Sequence, residues 1–423
     1  MATDSEVITK IPETDIWLTT DTGLIKAINL SKKSATNYYD GPQPDVNESF
    51  IDITAPTVNS VYGLTKNCKL KYFENGKFQT ICQFIDEEKK LLEPSFLKQV
   101  KDDKIISIFK NGDIFNQDNQ KITNYFEADT FNLNKKGKKK QINFDQVAIN
   151  CGCLQKSDTS LTLGGENILP LNIDLETGKA TWKAKNVTNN WLDVAVPIWQ
   201  RCIISDHENS DNCFFTTTNY GFIRKYDMRL SGKKAKPVLQ TSLMELGCNK
   251  NNDGDCDEVF TSISQSKTSP NLMLAGGNRG TIVTLDNRFF PDSYDVMLKT
   301  PKRGRNSKSI VYVYKSADGG LNSVNLTDSV GQTPSMVSTC GNDRKLRVYD
   351  LNKRGLLYSI YLKSKLMKME VVPDRDIVSQ ANGILAEIDS KRKIELDQEH
   401  KNNKKVKIEQ EDNLWNQLDS VVA

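Results

Sequence analysis

Histidine is nearly missing from this chain. His207 and His400 are the only two in 423 residues, which leaves little for histidine-based metal binding or acid–base catalysis. No run approaches the roughly 20 apolar residues of a membrane-spanning helix, so an integral helical membrane protein is excluded. Excess charge is lacking too: 57 Lys plus Arg stand against 54 Asp plus Glu, a net of +3. The surface as a whole is no sponge for nucleic acid, and any such contact must be local. The opening residues, Met1-Ala-Thr-Asp-Ser-Glu6, carry early acids and no apolar stretch, so they do not read as a secretory signal. Nine scattered cysteines, without such a signal, are expected as reduced thiols.

What is there suffices for a packed core. Hydrophobic residues make up 37% and charged residues 26%, which excludes wholesale disorder. One seven-residue pattern recurs: a turn residue, then alternating apolar residues, ending near Asp or Asn. Gly221-Phe-Ile-Arg-Lys-Tyr-Asp227 and Gly280-Thr-Ile-Val-Thr-Leu-Asp286 are its clearest copies. Gly23–Asn29 and Arg344–Asp350 match well, Ile168–Asp174 is looser, and Asn67–Phe73 and Gly112–Asp118 are weak. The copies end at 29, 73, 118, 174, 227, 286 and 350, at intervals of 44 to 64 residues. Each interval is too short for a domain and suits one four-stranded sheet. That is the period of a β-propeller blade. The spacing predicts an all-β fold, a seven-bladed WD-repeat-like propeller over residues 1–380, with a charged, partly helical tail over 381–423.

In WD-repeat propellers a Trp-Asp dipeptide closes this strand. Here it is degenerate: Ile173-Asp174, Tyr226-Asp227, Leu285-Asp286 and Tyr349-Asp350. No Gly-His dipeptide accompanies it, so an Asp–His network cannot form and packing must hold the blades. The strand-end Asp residues are expected to bond the turns that follow them.

Motifs for chemistry are thin. Asn249-Lys-Asn-Asn-Asp-Gly254 starts like a calcium loop, but Phe260 stands where the bidentate Glu belongs. Cys151-Gly-Cys153 lacks the two-residue gap of a zinc or redox pair. Gly164-Gly165 and Gly276-Gly277 have no strand–loop–helix setting for a phosphate. No nucleophile elbow is present. No cofactor, metal or catalytic residue is expected.

Charge is concentrated in loops and tail. Phe131–Lys140 carries five lysines, including Lys138, Lys139 and Lys140; like charges so dense are expected in an exposed loop. Ser231–Pro237 and Pro301–Lys308 are further basic loops, each fit for phosphate or for solvent. In the tail, Lys404, Lys405 and Lys407 fit a minimal nuclear-import signal. Leu414, Trp415 and Leu418 share a face at helical spacing and form a candidate docking peptide.

One segment combines two tryptophans and a proline between strand signals: Lys183-Ala-Lys-Asn-Val-Thr-Asn-Asn-Trp-Leu-Asp193, then Val196-Pro-Ile-Trp199. With Gly164-Gly-Glu-Asn167, it resembles a hallmark of the Nop-seven-associated ribosome-biogenesis proteins of fungi and their animal WD-repeat counterpart. Gly221–Asp227, Gly277-Asn-Arg-Gly280 with Leu285–Arg288, Ser338–Arg347, Tyr361–Leu366 and Asn413–Leu418 are similar to further stretches of that family. The resemblance is strongest over residues 160–370. It departs at Glu166, where a basic residue is common, and at Ile173-Asp174.

The resemblance implies a non-catalytic scaffold on nucleolar precursors of the large ribosomal subunit. It would be needed for rRNA processing and subunit maturation, and released by a AAA-type ATPase. Its partners would be the pre-ribosomal particle, other assembly factors and rRNA phosphates, and it would act as a monomer in the nucleus and nucleolus. Candidate contact residues are Lys185, Asn186, Asn190, Trp191, Asp193, Trp199, Arg224, Arg279, Arg344 and Arg347, each of which also fits a packing role. The rival from another class is a protein-only propeller adaptor, in ubiquitin ligation or chromatin, with no RNA contact.

Overall fold

The computed structural model describes residues 14–372, except 31, 58–59, 75, 86–91, 101–103, 130–146, 156, 190–191, 210, 243–245, 247–257, 294–306, 315–316 and 329–333. The chain divides into units Met1–Arg375 and Asp376–Ala423, and every described residue lies in the first. The expected tail, with its import lysines and docking peptide, lies outside the described residues.

Seven four-stranded antiparallel sheets follow one another, and they form the blades of a β-propeller. Blades 2 to 7 are continuous in sequence: 50–83, 94–124, 148–183, 200–242, 260–313 and 321–361. Blade 1 is assembled from both ends of the described chain. Its inner strand is Leu366–Val371, and the remaining three are Ile16–Thr20, Ile25–Asn29 and Ser34–Tyr38. Ile16 pairs with Val371 and Trp17 with Glu370. Val372 N–H donates to Asp15 O at 3.1 Å to finish the seam.

All seven sequence repeats fall on the third strand of a blade. The turn residue at the head of each has a backbone reason. Gly23, Cys68, Gly112, Asn167, Gly221, Gly280 and Arg344 all have φ between +55° and +91°. The turn from second to third strand requires the left-handed region, where glycine is unstrained and other residues are not. In blades 2, 4 and 7 a longer side chain is fitted to that φ, at Cys68, Asn167 and Arg344. At the other end, Asp174, Asp227, Asp286 and Asp350 each accept a backbone N–H two residues on, at 3.0, 2.9, 3.0 and 2.7 Å. These are the expected turn bonds.

Middle strands are covered on both faces, so they read as nearly unbroken apolar runs. Ile16–Thr20, Ile25–Asn29 and Ile105–Phe109 are buried at every position. The core is a ring of clusters between neighbouring blades. Trp17 and Ile25 of blade 1 pack on Phe50, Val61 and Phe73 of blade 2, with Trp17 edge-on to Phe73 at 5.6 Å. Trp182 of blade 4 meets Phe214 and Tyr226 of blade 5. Side chains of the inner strands add bonds across blades: Ser262 and Ser264 of blade 6 accept from Val324 and Leu326 N–H of blade 7 at 3.3 and 3.1 Å. Packing and these bonds take the place of the missing Asp–His network.

Outer strand edges are a liability for pairing with other chains. Three of them are covered from the next blade. Gly178 O accepts from Thr123 at 3.0 Å. Trp182 Nε1 donates to Leu230 O at 2.7 Å. Leu239 bridges to Asp292, and Gln240 N–H donates to Pro291 O at 3.0 Å.

The turn constraint is testable. An alanine Cβ at Gly280 would lie 2.4 Å from Ala317 O at φ +90°. Gly280→Ala is expected to cost about 1–3 kcal/mol, and Arg344→Gly to leave stability within about 1 kcal/mol of the parent. Urea unfolding midpoints compare the two.

Candidate contact face of the propeller

Antiparallel order sorts every loop onto one of two faces. The turns from second to third strand and the connections from each blade to the next share what we call the upper face. The remaining turns, with Thr14 and Val372, share the lower face. Lys185, Asn186, Asp193, Trp199, Arg279 and Arg344 therefore converge on the upper face, although 159 positions separate Lys185 from Arg344 in sequence. Asn190, Trp191 and Lys138, Lys139 and Lys140 lie outside the described residues.

The blade 4–5 connection is held in place by its own polar groups. Lys185 N–H donates to Ala235 O at 2.7 Å, Asn167 N–H to Ile198 O at 2.9 Å, and Asn219 N–H to Trp199 O at 2.9 Å. Asn186 Nδ2 reaches across the loop to Val196 O at 2.8 Å. Asn189 Nδ2 bonds Asp193 Oδ1 at 2.9 Å, and Asp193 sits at φ +58°. Asn186 and Asp193 thus shape the loop. What the loop displays is apolar: Leu192 is 59% and Val194 56% exposed, with Tyr220 of the adjoining turn at 42%. Sequence reasoning missed these three, because nothing in their spacing marks them as uncovered. Trp199 is half-buried beside them, with the Arg201 guanidinium 5.6 Å from its ring. Its buried Nε1 has no hydrogen-bond partner among the described residues.

Two of the expected contact residues face inward instead. Arg224 is 2% exposed. Its Nε donates to Gln240 Oε1 at 2.9 Å, its guanidinium lies 5.3 Å from the Phe222 ring, and burial lowers its pKa. Arg347 is also buried. It pairs with Asp343 through Nη1 and with Asp318 at 3.2 Å through Nη2. Both sit on third strands, which lie between neighbours within the sheet. Arg279 and Arg344, at turns, are exposed.

The inner strands of blades 1, 2 and 3 bring four charges together that no motif announced. They are Lys368 and Glu370, Asp52, and Lys98. Leu97 N–H donates to Asp52 Oδ2 at 3.0 Å, and Lys368 Nζ lies 3.9 Å from Asp52 Oδ1. That carboxylate holds Lys368 above its ordinary value. Desolvation by the surrounding strands pushes the Glu370 carboxyl up to about 7, against the pull of Lys98. Two thiols, Cys202 and Cys340, lie close enough to act on the Lys368 charge, and burial holds the Cys340 thiol well above its ordinary value. Asp52 and Lys368 are the opposed pair of this cluster, with the Lys368 side chain 46% exposed.

Comparison with known proteins agrees with the fold. No protein-family model matches the chain. It is similar to WD repeat-containing protein 74 of Bos taurus, 26% identical over 369 residues, covering 83% of this chain and 79% of that protein. The same-named protein of Homo sapiens is 25% identical over 363 residues, with 83% and 79% covered. Ribosome biogenesis protein NSA1 of Yarrowia lipolytica is 22% identical over 436 residues, covering 95% and 93%.

Two outcomes are expected. Arg347→Ala strands the buried Asp343 carboxylate and should cost about 3 kcal/mol in urea unfolding, whereas Leu192→Ser with Val194→Ser should stay within about 0.5 kcal/mol. At pH between about 4.5 and about 7, the folded state keeps a Glu370 proton that the unfolded chain has lost. This group's stabilising contribution is therefore full in acid and declines as pH rises through that window. Glu370→Gln should remove that decline, read as a flatter plot of unfolding midpoint from pH 5 to pH 8.

Proposed function

We infer that this chain, whose homologues are the animal WD repeat-containing protein 74 and the fungal ribosome biogenesis protein NSA1, is itself a ribosome biogenesis factor. It serves as a non-catalytic WD-repeat scaffold on nucleolar precursors of the large subunit. There it supports rRNA processing and subunit maturation, and a AAA-type ATPase releases it. The observation that carries this reading is similarity across most of both chains to proteins bearing that name. The propeller supports it physically, because the exposed Leu192, Val194 and Tyr220 suit contact.

On this reading the upper face meets assembly factors through Leu192, Val194 and Tyr220, with Lys185 and Trp199 beside them. The lysine loop at Lys138–Lys140 adds phosphate contacts. Lys404, Lys405 and Lys407 serve nuclear import, and Leu414, Trp415 and Leu418 serve docking of the tail. The same apolar patch would suit a protein-only adaptor, so that alternative is tested alongside.

Sedimentation of the tagged protein from lysate, with its RNA sequenced, separates the two. Co-migration with large-subunit precursor RNA is the expected outcome, reduced by Leu192→Ser with Val194→Ser. A small RNA-free complex would instead establish the adaptor reading.

A further inference from the structure

The upper rim of blades 6, 7 and 1 carries a run of exposed cations. Backbone hydrogen bonds set their order. Ala317 N–H donates to Gly280 O at 2.9 Å, Asn342 N–H to Gly320 O at 2.9 Å, Leu362 N–H to Arg344 O at 2.8 Å, and Asp21 N–H to Lys365 O at 3.2 Å. These links place Arg279, Arg344, Lys363 and Lys365 along one continuous arc, and all four residues are exposed.

Two acids of the arc are engaged elsewhere. Asp343 holds Arg347, while Asp318 holds Arg347 and Lys345. A third, Asp21, is half-buried, and its Oδ1 has no hydrogen-bond partner among the described residues. Among the described residues, Arg344, Lys363 and Lys365 have no ion-pair partner. The charge is felt nearby: Lys26, bonded to the neutral Asn37 amide at 2.8 Å, has its pKa lowered by burial and then by Lys363. Arg344 and Lys363 also stand at φ +64° and +67°. Blades 1, 3, 5 and 6 have glycine at the turn that Arg344 occupies, so the cation is kept against the backbone's preference.

An aromatic ring completes the arc. Tyr361 is 57% exposed and lies directly across from Lys345 in the outer pair of blade 7. Opposed residues of an antiparallel pair point to the same side. Cations following a curve beside an uncovered ring match what single-stranded nucleic acid requires: phosphate contacts along the backbone and a face for a base.

We propose that this arc binds single-stranded RNA, with phosphates on Arg279, Arg344, Lys363 and Lys365 and a base stacked on Tyr361. The choice of RNA rather than DNA rests on the biogenesis reading above; the arc itself does not. An acidic protein segment would use the lysines but gain little from the ring.

Fluorescence anisotropy tests this with the purified full chain and a labelled oligouridylate of about 20 nucleotides, from about 50 to about 200 mM salt. The variant Arg344→Gln/Lys363→Gln/Lys365→Gln should bind on the order of tenfold more weakly. Its plot of log affinity against log salt should be shallower by about 2, from three contacts at about 0.7 each. Tyr361→Ala should weaken binding about fivefold or more with an unchanged slope. Circular dichroism and urea midpoints check that each variant is folded. Four results would each overturn the proposal: no binding by the parent protein, parental affinity and slope in the triple variant, the same loss in a Lys138→Gln/Lys139→Gln/Lys140→Gln control, or displacement by polyglutamate as effective as by unlabelled RNA. The assay contains no ribosomal particle, so its failure and the failure of the biogenesis reading are told apart.

Discussion

Everything in this molecule depends on closing the ring. A blade buries its apolar faces only against two neighbours, so seven blades in an open row would leave two faces bare. Pairing of Ile16–Thr20 with Leu366–Val371 removes those ends. The pairing joins residues about 350 positions apart, which makes it costly in loop entropy and binds the stability of the first blade to that of the last. Trp17 shows the consequence. It is wholly buried in a blade whose inner strand is supplied by the other end of the chain, and it packs on Phe73 of the next.

Closure also creates two chemically different faces. Antiparallel order does this without further design, because the turn from second to third strand and the blade-to-blade connection always come out on the same side. The upper face divides again. Its blade 4–5 sector presents Leu192, Val194 and Tyr220, and its blade 6–7–1 sector presents cations. A near-zero net charge hides this division, since the balancing acids are spent on buried partners such as Arg347. The described chain ends, Thr14 and Val372, are on the lower face, opposite these sectors.

Buried polar groups do structural work here that a histidine network does in standard repeats. Serine hydroxyls of blade 6 bond the backbone of blade 7, and Asp52 of blade 2 bonds the backbone of blade 3. On the inner strands of blades 1 and 2, Lys368 and Asp52 stand 3.9 Å apart with opposite charge.

The sequence by itself determined the blade count and the register of the third strands. A left-handed turn and an alternating strand leave local marks at Gly221–Asp227 and Gly280–Asp286, and these repeat. It also marked the upper-face turns at Arg279 and Arg344, since turn residues are exposed wherever they occur. Tertiary structure alone decided the rest. Arg224 and Arg279 look alike as letters; one is sealed between strands and the other faces solvent, because burial depends on neighbouring blades. Nothing in the stretch Tyr361–Leu366 marks Tyr361, Lys363 and Lys365 as parts of one surface. They become an arc with Arg279 and Arg344 only because ring closure brings blades 6, 7 and 1 side by side.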